Sequence, residues 1–451
     1  MLEPEYRSWN IGGRYVFQAS YAAPNASALG DHDLLYRRIA WRIMPIVLLS
    51  YIVAYLDRVN VGFAKLQMLS DLKFSEGVYG LGAGIFFLGY FIFEIPSNII
   101  LHKVGARVWI CRVLISWGVV SGATAFVHTP WEFYTARFLL GLAEAGFFPG
   151  MILYLTYWFP SHRRAKMMAL LMAGNPVSAI IGGPVSGYIL RGFAASRHLA
   201  GWQWLFIIEA SPAIILGAII FFYLDDRVLN AKWLSEAEKG IVASDISEEA
   251  SSKTHTTVAS AFASARVWLM CAILFSIVVG SYAISFWQPT ILRETGVKDT
   301  FEIGLLTMVP YTLALISMIL VGRHSDKMRE RRWHLAVPNI LAAFGFVLCT
   351  QAGSSTSIAI AGLIMTVVGV ATALPMFWAL PTSFLGGTGA AAGIALVNSM
   401  GNLAGFFSPA IIGFLKTRTG TLNSGLFLVA GCHIAAVLMI LGLVPAKLVN
   451  R

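Results

Sequence analysis

The sequence predicts an all-α membrane protein whose twelve transmembrane helices form two six-helix bundles. The chain of 451 residues is 57% hydrophobic and 12% charged, whereas soluble domains contain about 25% charged residues. So few charges cannot cover a soluble protein of this length, which indicates that a lipid bilayer surrounds it. Twelve apolar stretches, with one long polar loop after the sixth, complete the pattern.

Each apolar stretch is close to the 20 or so residues that a spanning helix needs. The predicted spans are 39–61, 78–101, 108–127, 131–159, 165–190, 203–224, 266–290, 302–321, 334–352, 356–379, 388–414 and 423–445. The polar segment 225–265 separates the two sets of six. The predicted organisation is a cytoplasmic tail (1–35), a first bundle (36–224), a cytoplasmic central loop (225–265) and a second bundle (266–451).

Lysine and arginine are concentrated in the loops that face the cytoplasm if both termini do so, as the positive-inside rule requires. The basic segments "HKVGARVWICR" and "GRHSDKMRERRWH" each follow the second helix of their half. This weak repeat indicates duplicated bundles, which are a common plan of transporters with a binding site between the halves.

Several other classes of protein are excluded by the sequence. The four cysteines lack CxxC spacing, which argues against a disulfide framework or a metal site. The net charge of +10 lies in short loops without interleaved stacking aromatics, so no nucleic-acid partner is expected. No nucleophile elbow, phosphate loop or dinucleotide fingerprint is present in a suitable context, so we expect neither an enzyme nor a cofactor.

Four charged residues interrupt the first and fourth apolar stretches. Asp57 and Arg58 are adjacent in "SYIVAYLDRVNVGFA", and "YTARFLLGLAEAGFF" contains Arg137 and Glu144. Each such charge costs roughly 2.5–3.5 kcal/mol on insertion scales, so intramembrane charges are kept for function or are paired. Arg137 and Glu144 are two helical turns apart and share one face.

The four charges suit a proton-coupled carrier of an organic anion. An arginine holds a carboxylate through two parallel hydrogen bonds, so Arg58 and Arg137 are candidate substrate ligands. A carboxyl group removed from water takes up a proton more easily, so Asp57 and Glu144 are candidate proton carriers. The alternative is that Asp57–Arg137 and Arg58–Glu144 are structural ion pairs that hold helices one and four together.

Other polar residues in the apolar stretches are open to a structural interpretation. Glu94 and Glu209 precede prolines, and each is expected to bond freed backbone groups or to pair with a loop arginine. Asn175 and Asn398 are amides in lipid, which need a partner and so bind substrate or lock helices. The aromatic residues Tyr55, Tyr90 and Trp378 are, taken alone, expected to pack.

Long motifs in this chain resemble those of the anion:cation symporter family of the major facilitator superfamily. They are "YLDRVNVGFAKLQM", "GLGAGIFFLGYFIFEIPSNIILHKVGAR", "RFLLGLAEAGFFPGMILYLTYWFPSHRRAK" and "GRHSDKMRERRWH". The likeness extends from about Tyr36 to the C-terminus and is closest to bacterial tartrate, phthalate and aldonate carriers. It implies the major facilitator fold, alternating access and proton-driven uptake across the bacterial inner membrane by a functional monomer.

The resemblance also implies roles for individual residues. It assigns proton coupling to Asp57 and Glu144 and substrate anchoring to Arg58 and Arg137. The family's further site residues correspond to Tyr55, Tyr90, Asn175, Trp378 and Asn398. Asn175 stands where the sugar-acid carriers have a glutamine, which leaves the size of the substrate open.

One superfamily motif departs from its usual form, because Asn98 and His102 replace the glycine and aspartate of the loop after helix two. The predicted function is proton-coupled uptake of an organic dicarboxylate such as phthalate or tartrate. The alternatives are an aldonate or other organic-anion carrier, a neutral-sugar carrier and a non-transporting sensor. The direction stays open between uptake, export and exchange.

Overall fold

The computed structural model describes residues 6–11, 14–19, 26–193, 199–250, 264–384 and 390–446. The chain divides into two compact units, residues 1–45 and 46–451. In the first unit, strands β1 (Tyr6–Ile11) and β2 (Arg14–Ala19) form an antiparallel hairpin. Parts of the predicted tail and central loop (1–5, 12–13, 20–25 and 251–263) lie outside the described residues.

The helices of the first half follow the predicted spans, with two interruptions. They are α1 (Ala26–Leu72), α2 (Glu76–Val104), α3 (Ala106–Ala123), α4 (Pro130–Glu144), α5 (Phe147–Thr156), α6 (Ser161–Met172), α7 (Gly174–Gly192) and α8 (Gly201–Tyr223). Side-chain hydrogen bonds cap the N-termini of two of these helices. The Ser75 hydroxyl accepts from the backbone N–H of Val78 at the start of α2, and the Thr129 hydroxyl accepts from that of Glu132 at the start of α4. α1 begins ten residues before the predicted first bundle and ends well beyond its predicted span.

The central loop contains α9 (Glu236–Ala250), where the sequence predicts a short surface helix. The second half follows with α10 (Ala265–Glu294), α11 (Thr300–Met328), α12 (Arg332–Thr350), α13 (Thr356–Phe384), α14 (Ala390–Thr419) and α15 (Asn423–Leu443).

Within the described residues, eleven segments are long and apolar enough to cross a membrane. In this count α4 and α5 form one segment, as do α6 and α7. α14 also has the length of a span, with 30 residues, and contains the polar residues Asn398, Asn402 and Ser408. The prediction of an all-α membrane protein is confirmed, and the short hairpin lies in the N-terminal tail.

Small residues allow the helices to pack closely within each half. A side chain at Gly217 of α8 would collide with Ile115 and Leu114 of α3. In the second half, a Cβ atom at Gly362 of α13 would come within 2.9 Å of the Gly345 carbonyl oxygen of α12. In a bilayer, where lipid is as apolar as leucine, such close backbone approaches stabilise helix association.

The two halves meet most closely at one end of the bundle, the end that carries the α1–α2 turn at residues 73–75. We call this the closed end. Here α2 lies against α14, and a Cβ atom at Gly80 would come within 3.0 Å of the Gly413 Cα atom. The Thr300 hydroxyl of α11 donates to the Gly187 carbonyl of α7 at 3.1 Å. Glycine at these positions therefore lets the first and second halves touch through their backbones.

The approach of α2 to α14 predicts a specific cross-link. A Cβ atom at Gly77 lies 4.0 Å from the Thr417 Cβ atom, which is within the range of disulfides. In a background without the native cysteines, the pair Gly77→Cys and Thr417→Cys should form a disulfide under mild oxidation, detected by a mobility shift that a reductant reverses. The control pairs Gly77→Cys with Arg418→Cys. Equal cross-linking of both pairs, or none, would contradict this packing.

Candidate functional site

Adjacent charges on α1 serve different neighbours, because successive helical residues point about 100° apart. Arg58 forms an ion pair with Glu144 of α4, whose side chain is 2% exposed. Its guanidinium carbon also lies 5.1 to 5.5 Å from the ring centroids of Tyr55, Phe86 and Tyr90. Aromatic faces stabilise a cation that has lost water, so Arg58 stays charged at this position.

Asp57 is buried and bonded to neutral donors. Its Oδ1 atom accepts hydrogen bonds from the Ser121 hydroxyl of α3 and, at 3.1 Å, from the Asn60 amide. In the described part of the chain, Asp57 forms no ion pair with Arg137. Of the two structural ion pairs that the sequence allows, Arg58–Glu144 is formed and Asp57–Arg137 is not formed among the described residues.

Arg137 is the most unusual residue of the site. Its side chain is fully buried, yet none of its Nε, Nη1 and Nη2 atoms has a hydrogen-bond partner within the described structure. The guanidinium carbon lies 5.1 Å from the Phe86 ring centroid, and Asp57 and Glu144 are close enough to attract it electrostatically. An unbonded buried cation is costly, so this fork of donors is suited to receive a carboxylate.

The helix that carries Arg137 is broken directly after Glu144. Gly146 adopts a left-handed conformation (φ 84°) between α4 and α5. The Ser97 hydroxyl donates to the freed Ala145 carbonyl at 2.7 Å, and Trp109 Nε1 donates to Ser97 Oγ at 2.9 Å. The predicted span at 131–159 corresponds to one membrane-crossing segment, Pro130–Thr156, whose helix is interrupted at this point. Broken helices in membrane proteins commonly line ligand sites.

A cleft of about 440 Å³, its open mouth included, reaches this region at Tyr55, whose ring centroid lies 5.1 Å from the Arg58 guanidinium carbon. In the described structure, none of Asp57, Arg58, Arg137 and Glu144 is among its lining residues. Tyr55 and Asn175 line it from the first half. Ser285 and Gln288 of α10 and Tyr311 of α11 line it from the second. These second-half residues are not among those predicted from the sequence. A row of polar residues in α10 at a spacing of three, Tyr282, Ser285 and Gln288, is the signal that could have found them.

The other predicted site residues are distributed unevenly. Tyr90 is buried beside Arg58, so it joins the charged cluster. Trp378 packs against the apolar core of the second half, and Asn398 is half-buried in α14. Neither lines the cleft, so substrate contact by these two residues stays a prediction.

A second charged cluster joins the halves at the closed end. Lys65 Nζ contacts Glu76 Oε2 at 2.7 Å and the Thr290 hydroxyl at 2.9 Å, and lies 3.8 Å from the Trp287 ring centroid. Lys416 Nζ contacts Glu76 Oε1 at 2.6 Å and the Glu294 carboxylate at 2.7 Å. We call Lys65, Glu76, Glu294 and Lys416 the gate quartet.

The predicted first span, 39–61, leaves Lys65 in the external loop that follows it. This prediction is wrong because α1 continues to Leu72 and the Lys65 side chain is buried. The Tyr79 hydroxyl also donates to the Phe286 carbonyl at 2.8 Å, across the same contact between the halves. The gate quartet and this hydrogen bond therefore connect the two halves at the closed end.

Comparison with known proteins identifies the relatives of the chain. The Major Facilitator Superfamily family model matches residues 47–409. "Putative metabolite transport protein NicT" of Pseudomonas putida is 47% identical over 425 residues, which cover 93% of this chain and 97% of that protein. "Putative tartrate transporter" of Agrobacterium vitis is 47% identical over 409 residues (90% and 93%). "Quinolone resistance transporter" of Acinetobacter baumannii is 36% identical over 416 residues (92% and 94%).

Solved structures agree on the fold. A D-xylose-proton symporter superimposes with a TM-score of 0.72 at 16% identity, covering 90% of this chain and 98% of that one. A bacterial homologue of the human lysosomal transporter Spinster, in an inward-facing and occupied conformation, gives 0.69 at 15% identity (90% and 95%). At these identities the likeness shows the fold alone.

The break between α4 and α5 predicts that replacing Gly146 by alanine lowers the free energy of unfolding more than the same change at Gly442. Gly146→Ala should lower the free energy of unfolding by about 1–2 kcal/mol, the cost of a left-handed alanine, and its Cβ atom would also collide with Ser97. The matched control is Gly442→Ala in α15, where a Cβ atom meets open space. Denaturation in mixed micelles measures both. Equal stability of the two variants would show that the break is not conformationally constrained.

Proposed function

Because the chain belongs to the major facilitator superfamily and is a membrane transporter rather than an enzyme, we propose that it takes up an organic carboxylate, such as tartrate or phthalate, together with protons by alternating access. The observation that carries the proposal is Arg137, a fully buried cation whose three guanidinium nitrogens have no bonding partner among the described residues. A carboxylate satisfies two of these donors at once. The tartrate-transporter names of relatives at 46–47% identity support this class of substrate.

The second anchoring cation becomes free only if its partner changes state. Arg58 is paired with Glu144 in this conformation. A proton on Glu144 removes the negative charge that holds Arg58, so the guanidinium group can turn to the substrate. Protonation of Asp57 likewise removes a charge that attracts Arg137. Proton uptake and anion binding then favour each other, which is the thermodynamic requirement for coupling.

Energetics favour proton coupling for an imported anion. A membrane potential of 100 mV, negative inside, opposes entry by about 2.3 kcal/mol per negative charge. Two protons carried by Asp57 and Glu144 offset the two charges of a dicarboxylate. The aromatic rings around Arg58 provide flat apolar walls, which suit a benzene ring as well as a compact hydroxy acid.

In this proposal the closed end faces outward, and both termini lie in the cytoplasm of a bacterial cell, in its inner membrane. We expect a monomer to transport the substrate, because one chain contains both the charged cluster and the cleft. The conformation then corresponds to an inward-facing state with the gate quartet formed.

Four alternatives to this function differ in the substrate, in the direction of transport or in whether transport occurs. An aldonate or other organic anion uses the same arginines with a longer hydroxyl-bearing chain. The relative named for quinolone resistance keeps export open. A neutral-sugar carrier does not need Arg137, and a non-transporting sensor binds ligand without flux.

The first experiment measures flux directly. Proteoliposomes containing the purified chain should accumulate labelled tartrate or phthalate when the medium is more acidic than the lumen. An uncoupler should reduce accumulation to the level of protein-free liposomes. Uptake that ignores the proton gradient would contradict proton coupling, and binding without flux would favour the sensor. If neither acid is taken up, labelled gluconate tests the aldonate alternative.

The arginine at the centre of the proposal can be tested by substitution. Arg137→Gln should weaken substrate binding and initial uptake about 10- to 100-fold, because charged hydrogen bonds contribute roughly 1.5–3 kcal/mol each. The matched control is Arg418→Gln, an exposed arginine of α14, which should behave as wild type. Ligand-induced stabilisation and uptake are both measured. A fully active Arg137→Gln variant would favour a neutral substrate.

A further inference from the structure

A third acidic residue is buried in the first half, apart from the Arg58–Glu144 pair. Glu209 is the ninth residue of α8 and is 5% exposed. Its Oε1 atom accepts a hydrogen bond from the Ser186 hydroxyl of α7 at 2.6 Å. The sequence suggests a backbone or loop-arginine partner for Glu209, and the structure shows a serine hydroxyl instead.

Two hydrogen-bond acceptors near Glu209 have no donor. Its Oε2 atom is buried without a hydrogen-bond partner in the described structure, and so is the Oδ1 atom of Asn60. Asn60 is 1% exposed, and its side chain lies close enough to interact with the Glu209 carboxyl group. Both unbonded atoms are acceptors while Glu209 is ionised. Two buried acceptors without a donor are costly, and a single O–H group supplies the missing donor.

Among the residues that the structure describes, Glu209 forms no ion pair, so no cation there balances its negative charge when it is ionised. The charged residue that acts on it is Asp57 of α1, an acid of like sign. Arg137 of α4 acts on Asp57, and on the adjoining α7 Arg191 pairs with Asp299 at 3.1 Å. An unpaired buried carboxylate beside a second carboxylate is strongly disfavoured, whereas the neutral acid is not.

A sodium ion is a poorer occupant than a proton. In the described structure, the buried side-chain oxygens without a partner at this position are Asn60 Oδ1 and Glu209 Oε2. Hard metal ions need more oxygen ligands than two, typically about six. The Ser121 hydroxyl and the Asn60 amide already donate to Asp57 Oδ1.

We propose that Glu209 is a further proton-binding site of this transporter and that the Asn60 amide couples it to Asp57. A proton from water binds the carboxylate and gives a neutral acid whose O–H group can donate to Asn60 Oδ1. The Asn60 NH₂ group donates to Asp57, so one amide connects both acids. This inference extends the proposed function, because it adds a third carboxyl group to the two assigned to proton coupling.

Infrared spectroscopy of the full chain in lipid nanodiscs tests the site without substrate or gradient. At neutral pH the wild type should show the C=O stretching band of a buried, protonated carboxylic acid. Glu209→Gln should remove an amplitude equal to one carboxyl group. The matched control, Glu302→Gln at an exposed position of α11, should leave the band unchanged. A band that survives Glu209→Gln would overturn the proposal.

Two further variants show whether loss of the band comes from misfolding and whether Glu209 is coupled to Asp57. Ser186→Ala should raise the frequency of the band without removing it, because the C=O group loses its hydrogen bond. Asp57→Asn should change the pH at which the band disappears, and an unchanged midpoint would show that the acids are uncoupled. Exchange of choline for sodium should have no effect, and loss of the band in sodium would show a sodium site.

The readout separates the two hypotheses. If the band behaves as expected while gradient-driven uptake of every tested acid fails, the proposed function is wrong and the proton site stands. If uptake is proton-driven and the band is insensitive to Glu209→Gln, the transporter is established and this proton site is refuted.

Discussion

A charged side chain that enters a bilayer loses its hydration, and it stays charged only if the protein replaces the lost water. In the first half, Arg58, Asp57 and Arg137 each have different groups in place of the lost water. Arg58 has a carboxylate and three aromatic rings, and Asp57 has neutral hydrogen-bond donors. Arg137 has nearby charge but no bonded acceptor in the described residues. The incomplete replacement at Arg137 distinguishes this candidate site from a structural network in which every charge is paired.

The backbone arrangement follows from the same constraint. Arg137 and Glu144 are about 10 Å apart along one face of α4. Glu144 pairs with Arg58, and Arg137 attracts Asp57 electrostatically without a hydrogen bond in the described structure. The break after Glu144 would leave the Ala145 carbonyl unbonded in lipid, and the Ser97 hydroxyl of α2 donates to it while Trp109 of α3 donates to Ser97. A short chain of side-chain bonds therefore supports the position of Glu144. Packing at glycines brings these helices close enough for that support.

Much of this arrangement could be predicted from the sequence, because the bilayer restricts spanning structure to helices and makes charges conspicuous. The first-half cluster of Asp57, Arg58, Arg137 and Glu144 is visible as charge in apolar stretches. The break at Gly146 could not be predicted, since the apolar pattern continues through it and only the tertiary contact with Ser97 makes the left-handed turn favourable. The second-half lining was missed because Ser285, Gln288 and Tyr311 are uncharged. Lys65 was misplaced because its burial depends on partners more than 200 residues away.

The gate quartet has a consequence for how the closed end opens. Lys65 and Glu76 both belong to the first half, on helices joined by the turn at 73–75, whereas Glu294 and Lys416 both belong to the second. When the halves separate, each keeps one acid and one base already in contact at 2.7 Å. The cluster thus divides into two neutral dipoles, and no isolated charge is left on either surface. The membrane voltage exerts almost no net force on such a division, because each half carries no net charge at this cluster, and the gate itself is electrically silent.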